Sequence, residues 1–235
     1  MIKFVGYASN GAFSVGCTGQ TVYLYNNKDD KIYKFQDIKY AYTPMISPDG
    51  KFFVVKSTDG RLAVYSLETF SLIKKFRFSK VASGQDDGCC FSSDGKLFLN
   101  VERQVDELRC AISIYNTADF SLVNQVLFRD NIMVNHIEFD QTTNMYYILG
   151  FIRNHNDIYH HGFVANFENN QVENIICITD SEYEFYYWYK HLEIRGFTQE
   201  SYNWSPLVDC GLDKLKNTHH AIAKLHAYYS KKGPR

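Results

Sequence analysis

The fold of this chain is decided at Ser47-Pro48-Asp49-Gly50-Lys51, a tight turn placed directly before an apolar strand. Proline presets φ, aspartate can accept a hydrogen bond from the backbone that follows it, and glycine tolerates positive φ. The apolar run 52–55 comes next, and a second turn at Asp59-Gly60 leads into an alternating strand over 61–65. A further strand is predicted over 72–78, so residues 47–78 indicate a meander of short antiparallel strands.

Related copies of this unit lie on both sides of it. The turn recurs as Ser92-Ser93-Asp94-Gly95-Lys96, and the stretch 65–72 reappears 50 positions later as 115–122. An upstream unit opens at Ser9-Asn10-Gly11, and a weaker downstream unit opens at Phe139. Units of about 40–50 residues with four strands each are typical of propeller blades. The predicted fold class is therefore all-β: a small β-propeller of four or five four-stranded blades with a C-terminal helix.

The turn and the strand after it carry a family resemblance. Ser47-Pro48-Asp49-Gly50-Lys51, followed by Val64-Tyr65-Ser66-Leu67-Glu68-Thr69, resembles a blade of the WD-repeat β-propellers, and the resemblance extends over residues 2–180. In that family the third strand usually ends in Trp-Asp and the blade carries a Gly-His pair. This chain has Tyr65-Ser66 and Tyr115-Asn116 instead, and no Gly-His. It resembles a divergent WD-repeat-type propeller without the histidine-centred hydrogen-bond network, and the resemblance implies protein binding through rim loops.

The composition fits one compact body. The 235 residues are 45% hydrophobic and 16% aromatic, which is ample for a core, and no Pro- or Ser-rich linker divides them. We expect the blades to occupy residues 1–182. An aromatic closing segment and a C-terminal helix over 183–235 are expected to pack on the same domain. The helix is predicted from apolar positions at steps of three and four residues: Leu212, Leu215, His219, Ile222, Leu225 and Tyr229.

The charge and the cysteines restrict partners and location. A net charge of −1 argues against nucleic acid, which requires a basic field, and no apolar run is long enough to span a membrane. The first residues lack the apolar segment of a signal peptide, and the six cysteines form no Cys-x-x-Cys pair. We therefore expect a cytoplasmic chain with reduced thiols and with neither a nucleic-acid nor a membrane partner.

The stretch from Asn154 to Tyr189 contains acidic residues but no Lys or Arg. If the acids share one face, they would steer a basic protein partner towards it; scattered solvated charge is the alternative. The aromatic run 183–189 is either an interface platform or a segment that seals the propeller. The predicted partner-binding residues are Asp157, Glu168, Glu173, Asp180, Glu182, Glu184, Tyr187 and Trp188.

Two hairpin insertions carry polar side chains. Residues 102–109, from Glu102 to Arg109, are interpreted as a solvated hairpin tip with mixed charge, with a binding rim as the alternative. The stretch from Arg153 to His161 includes three histidines and Asp157, which are ligand types for zinc, but their spacing matches no established motif. A polar loop is the favoured interpretation, and we predict no metal site and no cofactor.

No catalytic motif is present: the sequence has no phosphate loop, no Gly-x-Ser-x-Gly and no His-Glu-x-x-His. Cys89-Cys90 has no neighbouring histidine to activate a thiolate and is interpreted as two small buried residues on an inner strand. The predicted function is a non-catalytic protein–protein interaction module. Four blades are few for a closed ring, so a homo-oligomer is also possible. One form is a bacterial toxin-neutralising immunity protein with a basic nuclease as its target. The enzyme alternative is a propeller hydrolase that acts on glycans.

Overall fold

The computed structural model describes residues 6–81, 85, 88–104, 109–128, 131–140, 144–154 and 157–178. These residues form sixteen β-strands and no helix. The strands make four antiparallel sheets of four, and in each sheet the spatial order of the strands follows their order in the chain. The described ranges contain no helix that could cross a membrane.

The first two sheets are built from the first eight strands. Sheet one contains β1 (Gly6–Ser9), β2 (Phe13–Cys17), β3 (Val22–Asn26) and β4 (Lys31–Phe35). Sheet two contains β5 (Ala41–Ile46), β6 (Phe52–Ser57), β7 (Arg61–Ser66) and β8 (Leu72–Arg77).

The other two sheets follow in the same way, with longer strands in the last. Sheet three contains β9 (Cys89–Phe91), β10 (Leu97–Arg103), β11 (Cys110–Asn116) and β12 (Leu122–Leu127). Sheet four contains β13 (Ile132–Asp140), β14 (Met145–Asn154), β15 (Asp157–Glu168) and β16 (Gln171–Ile178).

The turn that opens the repeat holds the first two strands of sheet two in register. The Ser47 hydroxyl donates to Asp49 Oδ1 at 2.7 Å, and the Lys51 backbone N–H donates to the same oxygen at 3.1 Å. The Phe52 N–H donates to Ser47 Oγ at 3.1 Å. Gly50 has a φ of 67°, which a residue with a Cβ adopts only at a cost. Side-chain oxygens thus satisfy the turn's backbone donors and begin β6 at a fixed residue.

The copy of this turn in sheet three has the same hydrogen bonds. Ser92 Oγ donates to Asp94 Oδ1 at 2.7 Å, and the Lys96 N–H donates to that oxygen at 3.0 Å. These bonds, first the one from the Lys96 backbone and then the one from Ser92, lower the pKa of Asp94 to about 2. Equal geometry 45 positions apart confirms that the sequence repeat is a structural repeat.

The later part of the repeat is conserved in shape as well. Phe70 and Phe120, which are 50 positions apart, both have a φ of 53°. Sheets two and three also have a bulge at the same place, between their third and fourth strands. It lies opposite Val64/Tyr65 in sheet two and opposite Ile114/Tyr115 in sheet three. The bulge leaves one residue of each outer strand without a ladder partner and turns the strand edge.

The core lies between the sheets, in three separate apolar clusters. The cluster between sheets one and two includes Val15, Leu24, Phe53 and Tyr65. The cluster between sheets two and three contains Val54, Leu62, Val64, Cys89, Phe91, Phe98, Tyr115 and Phe120. The third joins sheets three and four. Among the described residues no such cluster joins sheet four to sheet one.

Stacking of the sheets along the chain confirms the predicted all-β fold of four-stranded blades. Each sheet covers an apolar face of the next, because a single sheet cannot bury both faces alone. The first strands of sheets one and two also approach closely: a Cβ added at Gly6 would lie 1.7 Å from the Tyr42 carbonyl oxygen. The C-terminal helix, the closing segment and any fifth blade lie outside the described residues.

The predicted polar loop from Arg153 to His161 is wrong in part. Arg153 and Asn154 end β14, and residues 157–161 begin β15, so most of the insertion extends one long hairpin. Asn154 pairs with Asp157 across its end. Cross-strand pairing satisfies the backbone groups that a loop would leave to water. His155 lies outside the described residues.

Candidate functional site

The acidic candidate site lies at the hairpin between β15 and β16. Its two-residue turn is Asn169-Asn170, with φ of 50° and 63°. Positive φ at both central residues is the requirement of a type I′ turn, whose twist matches the flanking strands. Asparagine is among the few residues other than glycine that adopt this conformation readily. The turn fixes Glu168 opposite Gln171.

Glu168 and Glu173 lie on the same face of this hairpin. Glu168 pairs with Gln171, and Asn166 pairs with Glu173, so the two glutamates are diagonal neighbours across the strands. Such neighbours are about 7 Å apart. Both side chains are exposed. Two carboxylates at this distance repel each other weakly, and a cation between them would relieve that repulsion.

The other predicted partner-binding residues are not joined to this pair. Asp157 begins β15 and Glu168 ends it. Eleven residue steps of about 3.3 Å put their backbones about 36 Å apart. Asp180, Glu182, Glu184, Tyr187 and Trp188 lie outside the described residues. The structure therefore brings together two members of the predicted set, Glu168 and Glu173.

A second polar site, which the sequence did not indicate, is buried between sheets two and three. Lys56 of β6 is 0% exposed, and its Nζ donates to the Val101 carbonyl oxygen at 2.5 Å. The ammonium also lies 5.5 Å from the centre of the Phe78 ring. Val54, two residues earlier on β6, belongs to the apolar cluster with Phe98 of sheet three. Because side chains alternate along a strand, Lys56 points towards sheet three as well.

Glu102 is the acidic member of this buried site. Its side chain is 1% exposed. Its Oε1 accepts hydrogen bonds from Ser113 Oγ and Gln125 Nε2, both at 2.6 Å, and from Gln104 Nε2 at 3.3 Å. Burial raises the pKa of Glu102 above its ordinary value, although the hydrogen bonds and the positive charge of Lys56 oppose the shift.

The buried position of Glu102 corrects the interpretation of residues 102–109 as a solvated tip at its first residue, and residues 105–108 lie outside the described residues. Glu102 lies within β10, where it pairs with Ala111. The alternation of Phe98, Asn100 and Glu102 against Leu97, Leu99 and Val101 assigns Glu102 to one face of β10, but nothing in the sequence indicates that a second sheet covers that face. Apolar residues at every second position leave the intervening side chains on the opposite face. That face is buried because sheet two covers it.

Cys89 and Cys90 are both buried on β9, as predicted from the sequence. Burial raises the pKa of the Cys89 thiol to about 11, although Lys56 opposes this shift, and burial also raises the pKa of Cys90 well above its ordinary value. Both residues therefore pack as small neutral side chains. Within the described ranges, no group of three His, Cys, Asp or Glu side chains could hold a metal ion.

Comparisons with known proteins bear on the fold alone. No protein-family model matches the chain, and no curated protein matches it. Many solved structures do, 1217 chains in all, so the architecture does not select a function. One is a chain of hydrazine synthase from Kuenenia stuttgartiensis, with 12% sequence identity and a TM-score of 0.57. The match covers 72% of this chain and 51% of that one, so this chain spans about half the length of its neighbour.

Proposed function

We propose that this chain is a non-catalytic protein-binding propeller whose acidic hairpin, Glu168–Glu173, contacts a basic region of a protein partner. The observation that carries the proposal is the placement of Glu168 and Glu173 on one exposed face of that hairpin. The sequence from Asn154 to Tyr189 supplies no Lys or Arg to neutralise them. A rigid sheet that presents uncompensated carboxylates favours association with positive charge and accelerates it.

We also propose that the blades are divergent WD-type blades. The support is the Ser-x-Asp-Gly-Lys turn with its side-chain hydrogen bonds in sheets two and three. The two tyrosines at the Trp-Asp position, Tyr65 and Tyr115, are buried between sheets. Blades of this kind support binding surfaces on their rims without supplying catalytic groups themselves.

The test is reversal of both hairpin charges. The chain with Glu168→Lys and Glu173→Lys is compared with the parent for binding of a fluorescent octalysine peptide and of proteins co-purified from the source cells. We expect about tenfold weaker binding, because each reversal replaces an attractive pair with a repulsive one. Parent affinity should fall as salt rises, since exposed charges are screened.

The matched control is Glu68→Lys, which makes the same charge change as the single variant Glu168→Lys and lies at an exposed residue in the corresponding turn of sheet two. It should bind both probes as the parent does. If the control weakened binding of the probes equally, the loss would come from the change in net charge and not from the position of the hairpin. A parent that binds neither octalysine nor a stoichiometric protein partner would refute the proposal.

A toxin-neutralising immunity protein is one specific form of this proposal, with a basic nuclease as the partner and the cytoplasm as the location. It predicts that the co-purified partner is a nuclease and that the parent inhibits it while the double charge reversal does not. A glycan or a metal retained in place of a protein would instead favour the hydrolase alternative.

A further inference from the structure

The interface between sheets two and three contains polar atoms that the surrounding protein leaves unbonded. Asn100 is 0% exposed, and within the part of the chain that the structure describes neither atom of its carboxamide has a hydrogen-bond partner. The same holds for Oε2 of Glu102, whose other oxygen accepts three hydrogen bonds. These groups are too deeply buried to reach bulk water.

The unbonded groups face the same space. Asn100 and Glu102 are two residues apart on β10, so both side chains project from one face of sheet three. Phe98, two residues before Asn100 on β10, projects from the same face and packs on sheet two. The face that carries Asn100 and Glu102 is therefore the one that meets sheet two. Lys56 reaches the same strand from sheet two through its bond to Val101. The Asn100 carboxamide, Glu102 Oε2 and the Lys56 ammonium therefore all lie between sheets two and three.

We infer that an ordered internal water occupies this interface and bridges the Asn100 carboxamide to Glu102 Oε2. Asn100 Nδ2 donates to the water oxygen, and the water donates to Glu102 Oε2. Its second hydrogen is left for another acceptor, for which Asn100 Oδ1 is available.

Water fits the site better than an ion does. A buried group without a partner loses its full hydration free energy, and internal waters typically recover it with two to four hydrogen bonds. A cation would attract Glu102 Oε2 and Asn100 Oδ1 but would leave the Asn100 Nδ2 donor unbonded, and an anion would do the reverse. A water molecule both donates and accepts, so it can bond both kinds of group.

A crystal structure of the parent chain at about 1.8 Å or better tests this directly. We expect a density peak at about 2.7–3.2 Å from both Asn100 and Glu102 Oε2. A structure in which protein groups bond both the Asn100 carboxamide and Glu102 Oε2, with no density between them, would overturn the inference.

Denaturant unfolding of Asn100→Leu distinguishes a site that holds a water from a dry site, because the midpoint is expected to shift in different directions. In a hydrated site, Asn100→Leu expels the water, leaves Glu102 Oε2 unbonded and shifts the unfolding midpoint to lower denaturant. In a dry site, the same change removes an unpaired amide and raises the midpoint or leaves it unchanged. Asn131→Leu, at an exposed asparagine just before β13, should leave the midpoint unchanged. An Asn100→Leu midpoint at or above that of the parent would overturn the inference.

Discussion

Phe53→Ala is expected to lower the free energy of unfolding by about 3–5 kcal/mol. Phe53 is fully buried between sheets one and two. Its ring stacks on Tyr65 at a centroid distance of 4.9 Å and lies 5.8 Å from Phe35 of sheet one. Alanine would remove these contacts and leave a cavity that two twisted sheets cannot close. Denaturant unfolding of the variant beside the parent measures the loss.

The control for Phe53→Ala is Ile73→Ala in the same sheet. Ile73 is 58% exposed on the outer strand β8, so its truncation should change the free energy of unfolding by less than about 0.5 kcal/mol. A Phe53→Ala loss no larger than that of Ile73→Ala would mean that sheets one and two do not pack face to face.

Lys56→Met is expected to cost about 1–3 kcal/mol, because it leaves the buried Val101 carbonyl oxygen without its donor and removes a positive charge that favours the ionised form of the buried Glu102. The methionine side chain fills most of the same volume, so the loss reports charge rather than packing. The loss should be smaller in the double variant Lys56→Met/Glu102→Gln, which keeps an acceptor for Ser113 and Gln125 but has no buried charge. Chemical denaturation of the parent, Lys56→Met, Glu102→Gln and the double variant at neutral pH measures the coupling.

The cost of Lys56→Met should also depend on pH. In the variant, burial raises the pKa of Glu102 and Lys56 no longer opposes the shift. Well below the unfolded pKa of glutamate, about 4.3, Glu102 is protonated in both states and the deficit is small. As the pH rises above that value, ionisation favours the unfolded chain, and the deficit grows until the folded pKa is passed. A deficit equal at pH 4 and pH 7 would contradict an electrostatic interaction between Lys56 and Glu102.

The sheet architecture could be predicted because its determinants are local. The Ser47–Lys51 turn requires an aspartate oxygen and a glycine at fixed positions, and its copy at Ser92–Lys96 repeats both. Four short strands per unit follow from turns at this spacing. The positive φ at Phe70 and Phe120 could not be predicted, since aromatic residues rarely adopt it.

The sites were harder to predict because they depend on contacts between sheets and between strands. The proximity of Glu168 to Glu173 depends on strand register, which the two-residue Asn169-Asn170 turn sets. The buried Lys56–Glu102 site depends on which faces of sheets two and three meet. A lysine and a glutamate in strands otherwise indicate an exposed face, so the sequence alone favoured solvent for Glu102.

A crystal structure of the whole chain tests most directly whether each repeat forms one sheet that packs on the next. The expected result is four meanders in chain order over residues 6–178, with Phe53 stacked on Tyr65 and Lys56 Nζ bonded to the Val101 carbonyl oxygen. A sheet assembled from strands of different repeats, or Lys56 and Glu102 both in solvent, would contradict it.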